Sequence, residues 1–180
     1  MDLVTERLLL RDLRRDDSDR MFAIEGDAEA VRYQSYEPRT LENCRAYIEH
    51  DIADREPERW RYDLGVTLRS DERLVGRIGL DIKPPERAIG ELWFILDRSL
   101  WGRGLMPEAA ARLTGFGFED LALRRIFLDC DPRNGGAIRL AEKLGMQREG
   151  QLRECVHIKG EWCDSLYYGI LRSEWRPARS

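Results

Sequence analysis

Long apolar runs are missing from this 180-residue chain. No stretch approaches the roughly 20 residues that a membrane-spanning helix needs, so a membrane protein is not expected. Cysteine is scarce. Cys44, Cys130, Cys155 and Cys163 show no C-x-x-C spacing, and the chain has only 2 histidines, so no metal site is expected. An excess of positive charge is absent too. The formal net charge is -4, and without a basic stripe there is no electrostatic footprint for nucleic acid. The opening Met1-Asp2-Leu3 carries neither the basic region nor the apolar core of a secretory signal. Together these absences lead to the expectation of a cytoplasmic protein with reduced thiols.

What is present is a folded globular composition, 42% hydrophobic and 36% charged. No linker, repeat or low-complexity tract interrupts it, so a single domain over 1–180 is expected. The pattern predicts a first strand within Thr5 to Leu13, then helices over Ser18 to Glu25 and Leu41 to Arg55, the second ended by Pro57. Three strands follow, Arg61 to Leu68, Arg73 to Ile82 and Ile89 to Leu96, with Pro84-Pro85 separating the last two. A helix from Pro107 to Leu121, a strand from Arg125 to Cys130 and a helix capped by Asn134 come next. Strands Gln147 to Ile158 and Trp162 to Leu171 close the chain as a hairpin around Lys159-Gly160. In that hairpin Cys163 should face Val156, and Cys155 should face Asp164. The order makes an antiparallel meander that leads into one parallel β-α-β unit.

The most informative segment is Trp101-Gly102-Arg103-Gly104-Leu105-Met106-Pro107. A glycine loop leaves a strand and enters a helix with no good side-chain cap, since Met106 stands at the expected cap position. Amides left free at a helix N-terminus, with the positive end of its dipole behind them, form a receptor for phosphate or pyrophosphate.

Several further segments fall in a specific order. They are Thr5-Glu6-Arg7-Leu8-Leu9-Leu10-Arg11, Leu74-Val75-Gly76-Arg77-Ile78-Gly79-Leu80, Leu96 to Gly104, Asn134 to Leu140, Glu142 to Met146 and Gly160 to Asp164. With these the chain resembles the GNAT superfamily of acyl-CoA-dependent N-acyltransferases, in its RimJ/RimL-like branch of ribosomal-protein N-terminal acetyltransferases. The resemblance implies an α+β GNAT fold: a splayed, mostly antiparallel sheet of about seven strands, one parallel β-α-β unit, and helices on both faces.

It also implies acetyl-CoA as co-substrate. The family's loop, Q/R-x-x-G-x-G/A, falls on Trp101, Gly102, Arg103, Gly104, Leu105 and Met106. Gly104 matches, while Trp101 and Met106 replace the side chains the pattern favours. Backbone groups of Phe94, Ile95 and Leu96 would hold the pantetheine arm, with Asn134 beside it. Arg139 and Lys143 would reach an adenosine phosphate, or form a solvated basic face. Glu91 is the candidate base, its alternative being a surface glutamate. His157 is the second candidate, its alternative being structural. The positions where relatives place a hydroxyl to protonate the leaving thiolate hold Ala137 and Ala141. Tyr167 or Cys130 would substitute, or the thiolate leaves unaided.

The acceptor side would draw on Asp16, Asp17, Asp19, Glu25, Asp27 and Glu29 as an acidic wall or a solvated helix face, with Tyr33, Tyr36 and Trp162. The expected function is acetyl transfer to a primary amine, a protein N-terminus or a small molecule, by direct attack in a ternary complex. The enzyme would be a monomer or a homodimer. The competing function is a non-catalytic CoA-binding sensor.

Overall fold

A computed structural model describes residues 1–55, 59–83 and 88–176. Pro57, Pro84 and Pro85, read as breakers, lie outside these. Eight strands form one sheet: β1 (Asp2–Val4), β2 (Leu8–Asp12), β3 (Arg61–Leu68), β4 (Leu74–Lys83), β5 (Ile89–Leu96), β6 (Arg125–Cys130), β7 (Gln147–Ile158) and β8 (Glu161–Leu171). The helices are α1 (Ser18–Glu25), α2 (Leu41–Ala53), α3 (Leu105–Glu119) and α4 (Gly135–Lys143). The sheet order is β1-β2-β3-β4-β5-β6-β8-β7. Every neighbouring pair is antiparallel except β5 and β6. The α+β architecture with one β-α-β crossover is therefore the expected one.

The first strand differs in detail. Thr5 to Leu13 is read as one strand, but Thr5 interrupts it: its hydroxyl accepts from the Leu8 amide and its own amide donates to the Leu8 carbonyl. That side-chain turn splits off Asp2–Val4 as an edge strand, so the sheet has eight strands. In the last hairpin Val156 faces Cys163 as expected. Cys155 does not simply face Asp164. Three residues, Arg153 to Cys155, bulge opposite that one, with Glu154 at φ 46° and its amide bound to the Asp164 carboxylate. All four cysteines are free thiols. Among the described residues, no helix is long and apolar enough to cross a membrane.

The two faces of the sheet are unlike. Behind it, α3 and α4 seal one apolar core. Leu64, Val66, Ile78, Leu80, Leu92, Ile126 and Leu128 from the strands meet Ala109, Ala110, Leu113, Leu140 and Ala141 from the helices. The front, under α1 and α2, combines small apolar clusters around Met21 and Ile24 with a buried ionic group. Arg77 of β4 is 3% exposed, and its guanidinium reaches Glu25 at 2.5 Å and Asp63 at 2.5 Å. Tyr47 of α2 donates to Asp63, and Arg39 donates to Glu25. Every charge in this buried group has a partner, which is the condition for carrying it. Removing one member leaves a bare charge, at a cost of roughly 3–5 kcal/mol.

Candidate active site

Between β5 and β6 the sheet comes apart. Their parallel ladder holds only at Ile89–Arg125, Gly90–Ile126 and Glu91–Phe127. Beyond it β5 runs on along β4 to Leu96, while β6 runs on along β8 to Cys130. A cleft of about 340 Å³ opens at the C-terminal ends of the two strands, the usual place for a ligand in a parallel unit. Phe94, Ile95 and Leu96 form one lip. Trp101, Gly102, Gly104, Leu105 and Met106 form the end, and Asn134, Arg139 and Lys143 the opposite wall. Of the residues expected around a CoA, only Arg103 does not line it.

The end of the cleft is a helix N-terminus. Helix α3 starts at Leu105 and its N-cap is Gly104, not Met106. The helix begins two residues earlier than expected because Gly104, at φ 75°, turns the chain straight into it. Pro107 then falls inside the first turn, where its missing N–H costs nothing. Gly104 offers no side-chain cap. Among the described residues, nothing accepts a hydrogen bond from the amides of Gly102 through Met106. The space in front is open as well. A Cβ on Gly102 would meet nothing within 4 Å, and one on Gly104 only the Arg7 guanidinium at 3.6 Å.

The loop is braced from outside the cleft. Glu108 accepts from the Thr5 hydroxyl at 2.5 Å, the Arg7 amide at 2.9 Å and Arg7 Nε at 2.7 Å. Arg7 also donates to the Arg103 carbonyl at 3.0 Å, so Arg103 ties the loop down through its backbone. Burial alone would raise the Glu108 pKa. The hydrogen bonds from Thr5 and Arg7 outweigh it and hold the carboxyl below its ordinary range. On the opposite wall Asn134 does cap its helix, its Oδ1 accepting from the Ala137 amide at 3.1 Å. Arg139 and Lys143, four residues apart on α4, put two cations along the same wall.

The two candidate bases lie elsewhere. Glu91 sits at the last β5–β6 bridge on the front of the sheet, 2.5 Å from the Lys83 ammonium. His157 is exposed near the tip of the last hairpin, its ring 5.2 Å from that of Trp162. Neither lines the cleft. Ala137 and Ala141 are buried and supply no hydroxyl. Cys130 is buried, and that burial, with Asp129 and Asp131 adding to it, pushes its thiol up to about 11. It is protonated at neutral pH and so not a nucleophile. Tyr167 stacks on Phe127 at 6.3 Å. Burial first, then the charges of Asp129 and Glu91, hold its phenol above the usual value, so it too keeps its proton.

The expected acidic wall is largely neutralised. Asp17 pairs with Arg11, Glu25 with Arg77 and Arg39, and Asp27 with Arg98. The first two acids are buried and the third is partly exposed, whereas Asp19 and Glu29 stay exposed and Glu29 lines the cleft. Conversely, Ala30 and Gln34 line the cleft without having been singled out. The irregular segment 26–40 that carries them has no periodicity to announce it. It spans the split: Gln34 donates to the Phe94 carbonyl at 3.1 Å, Tyr33 to the Arg133 carbonyl at 3.2 Å, and Lys159 reaches the Val31 carbonyl at 2.7 Å.

Comparison with known proteins agrees with this geometry. Residues 7–147 match the model of the acetyltransferase (GNAT) domain. The uncharacterized N-acetyltransferase p20 of Bacillus licheniformis is 30% identical over 174 residues, covering 96% of this chain and 97% of its own length. The uncharacterized N-acetyltransferase YnaD of Bacillus subtilis is 29% identical over 175 residues, covering 97% and 99%. A solved GNAT-family acetyltransferase from Bacillus anthracis superposes with a TM-score of 0.88 at 28% identity, covering 97% of this chain and 100% of its own. A spermidine N-acetyltransferase from Vibrio cholerae, solved with CoA and spermine, shares the fold at a TM-score of 0.81 and 23% identity, covering 94% and 98%.

Proposed function

The chain belongs to the acetyltransferase (GNAT) domain family, and on that premise we propose that it uses acetyl-CoA to acetylate a primary amine, a protein N-terminal α-amine or a small aliphatic amine. The observation that carries this is the uncapped start of α3 facing an open cleft in the split sheet. Free amides of Gly102 to Met106 would hold the pyrophosphate, with the helix dipole behind them. Phe94 to Leu96, no longer paired with β6, would bind the pantetheine arm through backbone groups. Asn134 would flank that arm, and Arg139 and Lys143 would meet the adenosine phosphate as point charges. When bound, acetyl-CoA supplies an activated thioester.

The amine must shed a proton to attack. Glu91 sits where the split begins, with the Lys83 ammonium 2.5 Å away, and we assign it that task. Tyr167, whose phenol stays protonated, would donate to the departing sulfur from that face. His157 is too exposed and too near the hairpin tip for either role. Direct transfer is favoured over a covalent route because the Cys130 thiol is protonated and buried. Acetyl-CoA as co-substrate fits a cytoplasmic site of action. The branch within the family is left to the acceptor assay, since the RimL neighbour is 16% identical and shares the fold alone.

The test is release of free thiol from acetyl-CoA across a panel of amines and peptides. Amine-dependent release supports the proposal. CoA binding without release on any amine would replace it with the CoA-sensor reading, which Ala137 and Ala141 favour. In Glu91→Gln the rate should fall about 100-fold or more, most at low pH, with CoA affinity unchanged. An unaltered pH profile would remove Glu91 from the base role.

A further inference from the structure

Four adjacent strands each place one carboxylate on the front of the sheet: Asp63 on β3, Asp81 on β4, Glu91 on β5 and Asp129 on β6. Three of them have a cation. Asp63 holds Arg77, Asp81 has Arg61 at 3.5 Å, and Glu91 has Lys83 at 2.5 Å. Among the described residues none forms an ion pair with Asp129. Its bond is to the Ser165 hydroxyl of β8, 2.8 Å from Oδ2, and Ser165 is itself 2% exposed. One oxygen of a half-buried carboxylate is thus fixed in place and the other has no described donor.

Its position is specific. Asp129 lies two residues beyond Phe127, the last β6 residue bridged to β5, so it stands just inside the split. Alternate residues Ile126, Leu128 and Cys130 are buried in the core behind the sheet. Asp129 therefore faces forward, away from α3 and its open amides. On that side it has Tyr167 directly across on β8, with Phe127 stacked on the Tyr167 ring. Lys83, the nearest cation on β4, is already held by Glu91, and Arg133 is held by Asp131 and Glu161.

A partly desolvated carboxylate with no ion pair of its own, Lys83 acting on it only at a distance while bonded to Glu91, draws a cation from solution. An alkyl amine arrives at neutral pH as an ammonium ion, because its pKa lies well above 7. We propose that Asp129 recruits the acceptor, pairing with its ammonium nitrogen on the front side of the split, while Ser165 fixes the carboxylate's orientation. It is a specificity residue. It selects strongly basic aliphatic amines, and proton removal remains with Glu91. This inference rests on the acetyl-transfer reading above.

The test uses two amines of the same shape. Ethylamine is cationic at pH 8, and 2,2,2-trifluoroethylamine is mostly neutral. Asp129→Asn keeps the shape and the acceptor for Ser165 but removes the charge. The expected result is a KM for ethylamine raised roughly 10- to 100-fold, with kcat within about threefold and trifluoroethylamine unaffected. Ser165→Ala should shift the same KM in the same direction by less. An equal loss for both amines would mean a structural role and overturn the proposal, as would no loss for either. An NMR titration of the CoA complex with ethylamine makes the same comparison without turnover. If the wild type fails to bind ethylamine there, the proposal is overturned. The CoA titration that precedes it reports separately on the acetyl-transfer reading.

Discussion

The chain turns from strand to helix twice around the cleft, and the two turns treat their helix ends in opposite ways. Before α4, Asn134 gives its side-chain oxygen to the Ala137 amide and closes the end with its own atoms. Before α3, Gly104 has no side chain to give, and among the described residues the amides from Gly102 to Met106 have no acceptor. Both helices flank the same space and start within it. The difference teaches where a ligand's negative charge belongs. A capped end has its amides satisfied and serves as wall. An uncapped end keeps a partial positive charge for something the protein does not contain.

The comparison is broken most severely by giving the first turn what the second has. Gly104→Asp places a carboxylate at the open amides. It should weaken CoA binding by up to ~2 kcal/mol, about 30-fold, and cost roughly 1–2 kcal/mol of folding stability because position 104 sits at φ 75°. Calorimetric titration beside a thermal melt separates the two.

Next comes the brace. Glu108→Gln weakens the charge-assisted bonds that fix the loop and should cost roughly 1–2 kcal/mol of stability at pH 7. The sign with pH follows from the depressed carboxyl. The Glu108 contribution is fully present above the unfolded value of 4.5 and is lost as pH falls through the lower folded value. Melting curves of wild type and variant should therefore differ at pH 7 and converge progressively as pH falls below 4.5.

Opening the second turn is a smaller change. Asn134→Ala removes a helix cap, worth about 1 kcal/mol, a shift of about 2–4 °C in Tm for a chain of this size. Its effect on CoA affinity should be less than that of Gly104→Asp. A larger one would mean that the Asn134 amide contributes more to the ligand than to the helix. The smallest effect belongs to Arg139→Ala with Lys143→Ala. Two solvent-facing cations should change CoA affinity by about 0.5 kcal/mol each at low ionic strength, and the difference should fade as salt is raised.

Much of this contrast was legible in the residues. Glycines 102 and 104 before an apolar helix, and Asn134 before Gly135-Gly136, announced an open end and a capped one. The meander, the β-α-β unit and the final hairpin followed from alternation and turn residues. The rest was hidden for physical reasons. Proline makes Pro107 the visible signal for the start of α3, whereas the left-handed turn at Gly104 sets the boundary. The split in the first strand comes from one hydroxyl, Thr5, that competes with the ladder. Asp17, Glu25 and Asp27, read as part of a possible wall for substrate, are partners of Arg11, Arg39, Arg77 and Arg98, because a one-dimensional pattern does not show which arginine folds back onto which acid. Asp129 does not stand out in the sequence for the complementary reason. Its significance lies in the cation it lacks, and that is visible only once Lys83, Arg61 and Arg133 are seen to be held by other acids.

The central claim is that open backbone amides at Gly102 to Met106 bind the pyrophosphate of CoA. The most direct measurement compares the affinity for CoA with that for pantetheine, which has no phosphates, in the wild type and in Gly104→Asp. The account predicts a strong wild-type preference for CoA that collapses in the variant, with pantetheine affinity little changed. An equal preference for CoA in both proteins would contradict it.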